Sequence, residues 1–249
     1  MEFRQLLPEP APVELEEALE SLRVPPGVSG DRPYVLVNFI ATADGRSTFE
    51  GRSGQLGDEG DRALFHGLRE RSDAILVGTR TIGVERYGRV LGRAERRERR
   101  LSQGRSAEPL ACLVTRSGDV PADIPLFAEP EAQIVIYTAA ELELDGAQAQ
   151  VEVVKLDPGQ LTLTTVLRRL RSDHGIKLLL CEGGPMMFGS LLEENLVDEL
   201  FLTVSPRLAG GGSSPTITSG TELSELRQLR LDWILERENF LYLRYLVGG

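Results

Sequence analysis

Apolar residues along this chain fall into short runs separated by polar turns, and the runs carry two different periods. Tyr34–Ile40 (YVLVNFI), Ala74–Gly78 (AILVG), Leu110–Thr115 (LACLVT), Gln133–Thr138 (QIVIYT), Val151–Leu156 (VEVVKL), Ile176–Cys181 (IKLLLC) and Glu199–Val204 (ELFLTV) are compact apolar runs bounded by turn residues, the pattern of buried strands. Between them, apolar residues recur three and four apart. Ala63, Leu64 and Leu68 follow a capping Asp58 and predict a helix to about Ser72, and Leu163, Val166, Leu167 and Leu170 mark one face of a helix over Leu161–Arg171. Thr79–Glu85 opens a short helix, and Met186–Glu194 reads as a helix that follows the strand at Ile176–Cys181. The final stretch, LRLDWILERENFLYLRYLV, predicts a hairpin turning near Glu238-Asn239, with Trp233 in the core. Strand–helix alternation followed by an antiparallel tail predicts a mixed-sheet α/β domain.

Residues 1–32 read as an N-terminal appendage. Pro8, Pro10 and Pro12 break structure, Val13–Leu22 predicts a short helix, and Pro25, Pro26 and Gly27 end it. The main domain then runs over residues 33–249. ATADGRSTFEGRSGQLG, residues 41–57, is a loop with a tight turn at Asp44-Gly45. Arg93–Arg100, RAERRERR, reads as a solvated helix or mobile loop rather than a nucleic-acid contact.

That choice rests on charge. The chain has 249 residues with 28 basic and 38 acidic side chains, a net charge of −10 and a pI near 4.9. Such a surface argues against general binding to nucleic acid or anionic membrane. Cys112 and Cys181 both lie in apolar runs and read as buried thiols of a reducing compartment. With only two histidines as well, no metal site is expected; His66 and His174 read as structural. The acidic N-terminus lacks a signal core, and no apolar run approaches the roughly 20 residues a membrane helix needs. A soluble cytoplasmic protein is expected.

The strongest local chemistry is the strand–Glu182-Gly183-Gly184-Pro185–helix junction. Two glycines let a ligand approach the backbone, and the helix behind them offers unpaired N–H groups to a phosphate. A plain strand-to-helix turn has the same residues, and the motif alone does not decide. It is neither GxGxxG nor a Walker A loop. Gly78-Thr79-Arg80-Thr81 and Thr115-Arg116-Ser117 end two further strands with hydroxyls and a guanidinium suited to a phosphate monoester. In a parallel sheet these ends share one edge, where α/β proteins bind ligands, so a phosphorylated cofactor is expected. Asp44, Glu85 and Glu182 are the acid–base candidates; Asp44 is also ordinary turn sequence, and Glu182 stands directly behind an apolar strand. No G-x-S-x-G elbow is present.

Four segments together resemble the reductase family of riboflavin biosynthesis, related in fold to dihydrofolate reductase. They are NFIATADGR (38–46), GRSGQLG (51–57), LRERSDAILVGTRTI (68–82) and LLLCEGGPMMFGSLLEENLVDELFLTVSPRLAGGG (178–212). The likeness spans Pro33 to Val247 and is greatest to free-standing actinobacterial pyrimidine reductase-like members, which share the acidic proline-rich leader and a segment like Glu85-Arg86-Tyr87-Gly88. The resemblance implies a three-layer fold with a mixed, mostly parallel central sheet and an antiparallel C-terminal hairpin. It implies NADPH as cofactor, hydride transfer to a ribosylamino-pyrimidine phosphate, and a homodimer. By position it implies that Gly183, Gly184, Pro185, Met186, Met187 and Phe188 hold the pyrophosphate, and that Thr115, Arg116 and Ser117 meet the adenosine 2′-phosphate. Ala41, Gln55, Gly57, Gly78, Thr79, Thr81 and Glu85 would line the rest of the cofactor groove, with Asn38, Asp44, Ser53, Arg69 and Glu182 toward substrate. No catalytic residue is assigned. The family's usual Lys, aromatic and Asp are here Asn38, Gln55 and Glu85. The lost lysine charge keeps a dihydrofolate-type or other pteridine substrate as an alternative, and a silent nucleotide-binding homologue as another.

Overall fold

A computed structural model describes residues 1–25, 30–144 and 146–248. The expected helix stop at Pro26-Gly27 lies outside the described residues. In chain order the elements are β1 (Glu2–Leu7), β2 (Ala11–Glu14), α1 (Leu15–Glu20), β3 (Tyr34–Thr42), α2 (Glu59–Arg71), β4 (Ala74–Gly78), α3 (Thr79–Val84), α4 (Ala94–Ser102), β5 (Leu110–Thr115), β6 (Gln133–Thr138), β7 (Gln150–Lys155), α5 (Leu163–Asp173), β8 (Leu178–Cys181), α6 (Pro185–Glu193), β9 (Glu199–Ser205), β10 (Leu229–Arg237) and β11 (Phe240–Val247), with one 3₁₀ turn at Pro125–Ala128. They fall into two compact units. Unit one comprises Met1–Val28, Tyr34–Leu68 and Cys181–Gly249; unit two comprises Ser29–Pro33 and Arg69–Leu180.

In unit one the strand order is β2-β1-β10-β11-β9-β3. β3 and β9 run parallel, from Leu36 opposite Glu199 to Thr42 opposite Ser205. β9–β11 and β11–β10 are antiparallel, and Glu238 and Asn239 close the expected hairpin with φ of 50° and 69°. Trp233 is buried against Phe201. At the start of β3 and β9, Arg244 holds Glu199 through two guanidinium bonds of 2.7 and 2.9 Å, and Tyr34 donates to the same carboxylate.

The leader differs from expectation. Residues 2–7 pair antiparallel with β10, Arg4 opposite Glu236, and with β2 on their other side. The prolines are compatible with this. Pro8 and Pro10 lie between the two strands, and Pro12 sits in the outermost strand, where a missing N–H breaks no inner ladder. α1 is shorter than the predicted Val13–Leu22 helix and buries Leu15 and Leu19.

In unit two β4, β5, β6 and β7 are successive parallel neighbours, with β8 beside β4. α5 starts at a Thr162 cap that accepts from the Thr165 N–H, and it buries Leu163, Val166, Leu167 and Leu170, the face read from the sequence. The arginine-rich segment is a helix, α4, largely exposed as the sequence reading expects, with Arg100 as its buried exception. Arg100 is 1% exposed and donates to the carbonyls of Glu70, Ser72 and Ser106, while Arg96 and Arg99 pair with the Glu70 carboxylate. The C-terminal carbonyls of α2 need donors, and these guanidinium groups supply them.

Candidate active site

In unit one, two loops at the C-terminal ends of β3 and β9 are tied together. Ala43 N–H donates to the Arg207 carbonyl at 2.9 Å, Ser47 N–H to Pro215, and Arg46 reaches the carbonyls of Gly210 and Ser214. Arg207 in turn donates to the carbonyls of Gln55 and Leu56 at 2.9 and 2.6 Å. Asp44 belongs to this brace. Its carboxylate accepts from the Thr42 hydroxyl and from the backbone N–H groups of Ala209 and Gly210, and these bonds hold its pKa down at about 2. Asp44 is therefore anionic and occupied, a fixer of loops on this geometry. Ala41, Ser53, Gln55 and Gly57 lie on or beside the same braced segment, with Ala41 buried and Gln55 exposed.

Beyond the last strand residue, Cys181, the chain turns through buried Glu182 into Gly183 and Gly184, with φ of 106° and 78°. Both values lie where a side chain is strained, which explains the glycines. Gly183 also presses on Phe39: a Cβ there would come within 3.2 Å of the ring. Phe39 stacks on Phe188 with centroids 5.3 Å apart and so fixes the first turns of α6 to β3. Gly184 is the N-cap and supplies no side-chain bond, and Pro185 follows as the first helical residue. The α6 N-terminus thus presents backbone donors behind a pair of glycines, with Met186 exposed beside them. These features fit a nucleotide phosphate. Ser219 lies across the helix; its N–H donates to the Pro185 carbonyl, and its own carbonyl packs so close that a Cβ on Gly189 would meet it at 2.1 Å.

Asn38 lies in β3 opposite Phe201, and its Oδ1 is buried with no hydrogen-bond partner. Two residues that sequence reasoning passed over share its face of the sheet. Thr203 is fully buried, and Asp61 faces its hydroxyl from the first turn of α2. Asp58 caps that helix as expected, accepting from the Asp61 N–H at 2.8 Å, and also binds Tyr242 Oη and Arg237. No pattern in the sequence separates Asp61 from any acidic residue that favours a helix N-terminus.

In unit two, Gly78 pairs beside Val114, so the ends of β4 and β5 are adjacent, as the shared-edge argument requires. Gly78 caps α3, which carries Thr79 and Thr81, and Glu85 closes it with an N–H to the Thr81 carbonyl. Thr115 is buried with its hydroxyl 3.5 Å from that of Ser117. Arg116 is exposed and donates to the carbonyls of Pro158 and Leu161; among the described residues it has no ion pair. Arg69 differs from a surface ligand. It is 6% exposed, donates to the Val90 carbonyl at 2.9 Å and lies over the Tyr87 ring.

The RibD C-terminal domain model matches residues 33–239. The chain is 31% identical over 206 residues to the 2,5-diamino-6-ribosylamino-4(3H)-pyrimidinone 5′-phosphate reductase of Archaeoglobus fulgidus, covering 82% of this chain and 93% of that protein. The enzyme of the same name from Methanothermobacter thermautotrophicus is 27% identical, over 78% of this chain and 88% of that one. Among solved structures, a pyrimidine reductase-like protein of Corynebacterium diphtheriae superposes with a TM-score of 0.75 at 27% identity, covering 87% of this chain and 92% of that one. This chain belongs to the RibD C-terminal domain family.

Proposed function

We propose that the protein is an NADPH-dependent reductase acting on a ribosylamino-pyrimidine 5′-phosphate. The observation that carries the reading is the Gly183–Gly184 turn into an α6 N-terminus without a side-chain cap. It is supported by relatives of nearly the chain's full length that are named for this reduction.

The bound cofactor would supply a hydride. In the net reaction C1′ of the ribose gains that hydride, the bond from C1′ to the ring oxygen breaks, and the oxygen takes a proton to become a hydroxyl. The chain's contribution is binding and orientation. Gly183 and Gly184 keep side chains away from the pyrophosphate, and the first N–H groups of α6 donate to it. Arg116, with neighbouring Thr115 and Ser117, carries the charge that meets the 2′-phosphate. Asn38 cannot neutralise a phosphate as a lysine would, but its buried Oδ1, without a partner in the fold, is able to accept an N–H from substrate.

Titration with NADPH and NADH, followed by turnover of the ribosylamino-pyrimidine phosphate and of dihydrofolate, tests the reading. It expects tighter NADPH binding and reduction of the pyrimidine. Reduction of dihydrofolate alone would replace the substrate, and tight binding without turnover of either would leave a nucleotide-binding protein.

A further inference from the structure

β9 ends at Ser205 and β10 begins at Leu229, and residues 206–228 between them form no helix or strand. A connection of that length without secondary structure is uncommon in a compact fold and is usually functional. Its middle is held from two sides. The loop after β3 holds one side: the Asp44 carboxylate accepts from the N–H groups of Ala209 and Gly210, and Arg46 donates to the carbonyls of Gly210 and Ser214. Buried Ser47 donates its N–H to the Pro215 carbonyl at 2.9 Å, and its hydroxyl lies 2.9 Å from the Thr216 carbonyl. α6 holds the other side. The Ser219 N–H donates to the Pro185 carbonyl at 3.0 Å, and the Thr221 N–H donates to the Glu193 carboxylate at 3.2 Å. The Thr216 hydroxyl spans the gap between the two holds by donating to the Thr218 carbonyl at 2.8 Å.

The seat on α6 is closely fitted. Pro185, Gly189 and Glu193 stand four residues apart, so they form one row along the helix surface, and the segment lies on that row. Gly189 is buried, and a Cβ there would come within 2.1 Å of the Ser219 carbonyl oxygen and 3.2 Å of its carbon. These are backbone atoms, which cannot rotate aside as a side chain does. Glycine inside a helix is less stable than alanine, so its presence calls for a packing reason, and the Ser219 carbonyl is that reason. Gly220, with φ of 120°, then carries the chain past Met186 and Glu193.

We infer that residues 209–221 are a strap that seats the first turn of α6 against the loop after β3, and that Gly189 and Glu193 are positioning residues for the cofactor's pyrophosphate. Their role rests on the NADPH reading proposed above. The first N–H groups of α6 are a rigid set of donors, aimed by the placement of the whole helix. Phe188 stacked on Phe39 is one hold on that placement, and the strap is the second. A Cβ on Gly189 would push the Ser219 carbonyl back by roughly 1 Å to reach ordinary contact, a shift large enough to spoil the aim of binding groups. Linkage makes the effect reciprocal: a cofactor bound at α6 must in turn hold the strap.

The test is direct titration with NADPH and NADH, with steady-state kinetics, on Gly189→Ala, Glu193→Ala and Glu193→Gln. Gly189→Ala should raise the Kd of both cofactors by the same factor, about tenfold or more, because they share the pyrophosphate. The loss should appear in the KM for NADPH, with kcat at saturating cofactor and the KM for the pyrimidine within about twofold of wild type. Alanine favours a helix over glycine, so circular dichroism should show no loss of helix. Glu193→Ala should weaken binding about two- to fivefold, and Glu193→Gln, which keeps the acceptor oxygen, should restore it. In the wild type, NADPH should slow hydrogen exchange of the Ser219 and Thr221 amides several-fold and leave that of Leu22, at the end of α1, unchanged. Wild-type affinity in folded Gly189→Ala, a loss in kcat alone, or equal weakening by Glu193→Ala and Glu193→Gln overturns the inference. If Gly189→Ala does not fold, strap amides that NADPH leaves unprotected overturn it. A wild type that binds no NADPH is a separate result: it rejects the cofactor reading, and the strap's role falls with it.

Discussion

At the scale of single residues, Gly184 and Arg116 answer different questions about the cofactor. Gly184 has φ of 78° and stands immediately before α6, so a β-branched side chain there is strained and would fill the approach to the helix N-terminus. Gly184→Val should abolish NADPH binding in a direct titration while circular dichroism keeps the wild-type spectrum; normal binding would place the phosphate elsewhere. Arg116→Ala should raise the NADPH Kd roughly ten- to hundred-fold and leave NADH nearly unchanged, since a charge-assisted contact contributes about 1.5–3 kcal/mol. Equal losses for both cofactors would take the 2′-phosphate away from Arg116. The glycines were legible in the sequence because only a special backbone needs two of them between a strand and a helix. Asn38 was legible as a departure from a family lysine. Thr203 was not: in ELFLTV a threonine is an ordinary β-former, and only its register opposite Ile40 shows that its hydroxyl lies on the same face as Asn38.

At the scale of elements, Asp58 just before α2 and Asp61 in its first turn have opposite effects. Asp58 caps the helix and binds Tyr242 and Arg237, so Asp58→Ala should destabilise by about 2–4 kcal/mol, read as a lower urea midpoint at unchanged slope. Asp61 works the other way. Its folded pKa of about 6 stands above the ordinary 3.8, so between these values the native state binds more protons than the unfolded chain. Stability therefore falls as pH rises across that window, and the full penalty, at most about 3 kcal/mol, applies above pH 6. Asp61→Asn should stabilise the protein near pH 7.5 and give no gain near pH 4, measured by urea unfolding at both. A loss of stability at pH 7.5 would mean that the carboxylate is satisfied in the fold. α4 shows where element-level reading stopped short. RAERRERR has the composition of a solvated helix, and most of α4 is exposed, but the carbonyls at the end of α2 draw Arg100 inward while Arg96 and Arg99 pair with the Glu70 carboxylate. That pull comes from residues distant in sequence, so composition could not register it.

At the scale of the whole molecule, the leader is the largest difference between sequence and structure. Its prolines masked a strand whose one buried residue, Phe3, meets Tyr242 edge-on at 5.1 Å. β10 is consequently paired on both sides, by β1 and β11, and β11 by β10 and β9, so a second copy could not add to the hairpin edge without displacing the leader. Removal of residues 1–25 should expose that edge, strip Phe3, Leu15, Leu19 and Leu22 from the core, and lower the Tm by about 10 °C or more. Size-exclusion chromatography of the truncated chain should then show new association; an unchanged Tm and elution volume would make the leader a true appendage. The alternating strands and helices of the main domain, by contrast, were readable because buried strands and amphipathic helices write different periods into the chain, as Leu163, Val166, Leu167 and Leu170 of α5 illustrate.

The central claim is that this chain moves a hydride from NADPH to the ribose carbon of a ribosylamino-pyrimidine phosphate. The most direct measurement mixes purified protein, NADPH and 2,5-diamino-6-ribosylamino-4(3H)-pyrimidinone 5′-phosphate, follows the loss of reduced-nicotinamide absorbance, and weighs the product. The account predicts one NADPH oxidised per substrate and a product heavier by two hydrogens, with an open ribityl chain. Intact substrate and unoxidised NADPH, in a protein that binds the cofactor, would contradict it.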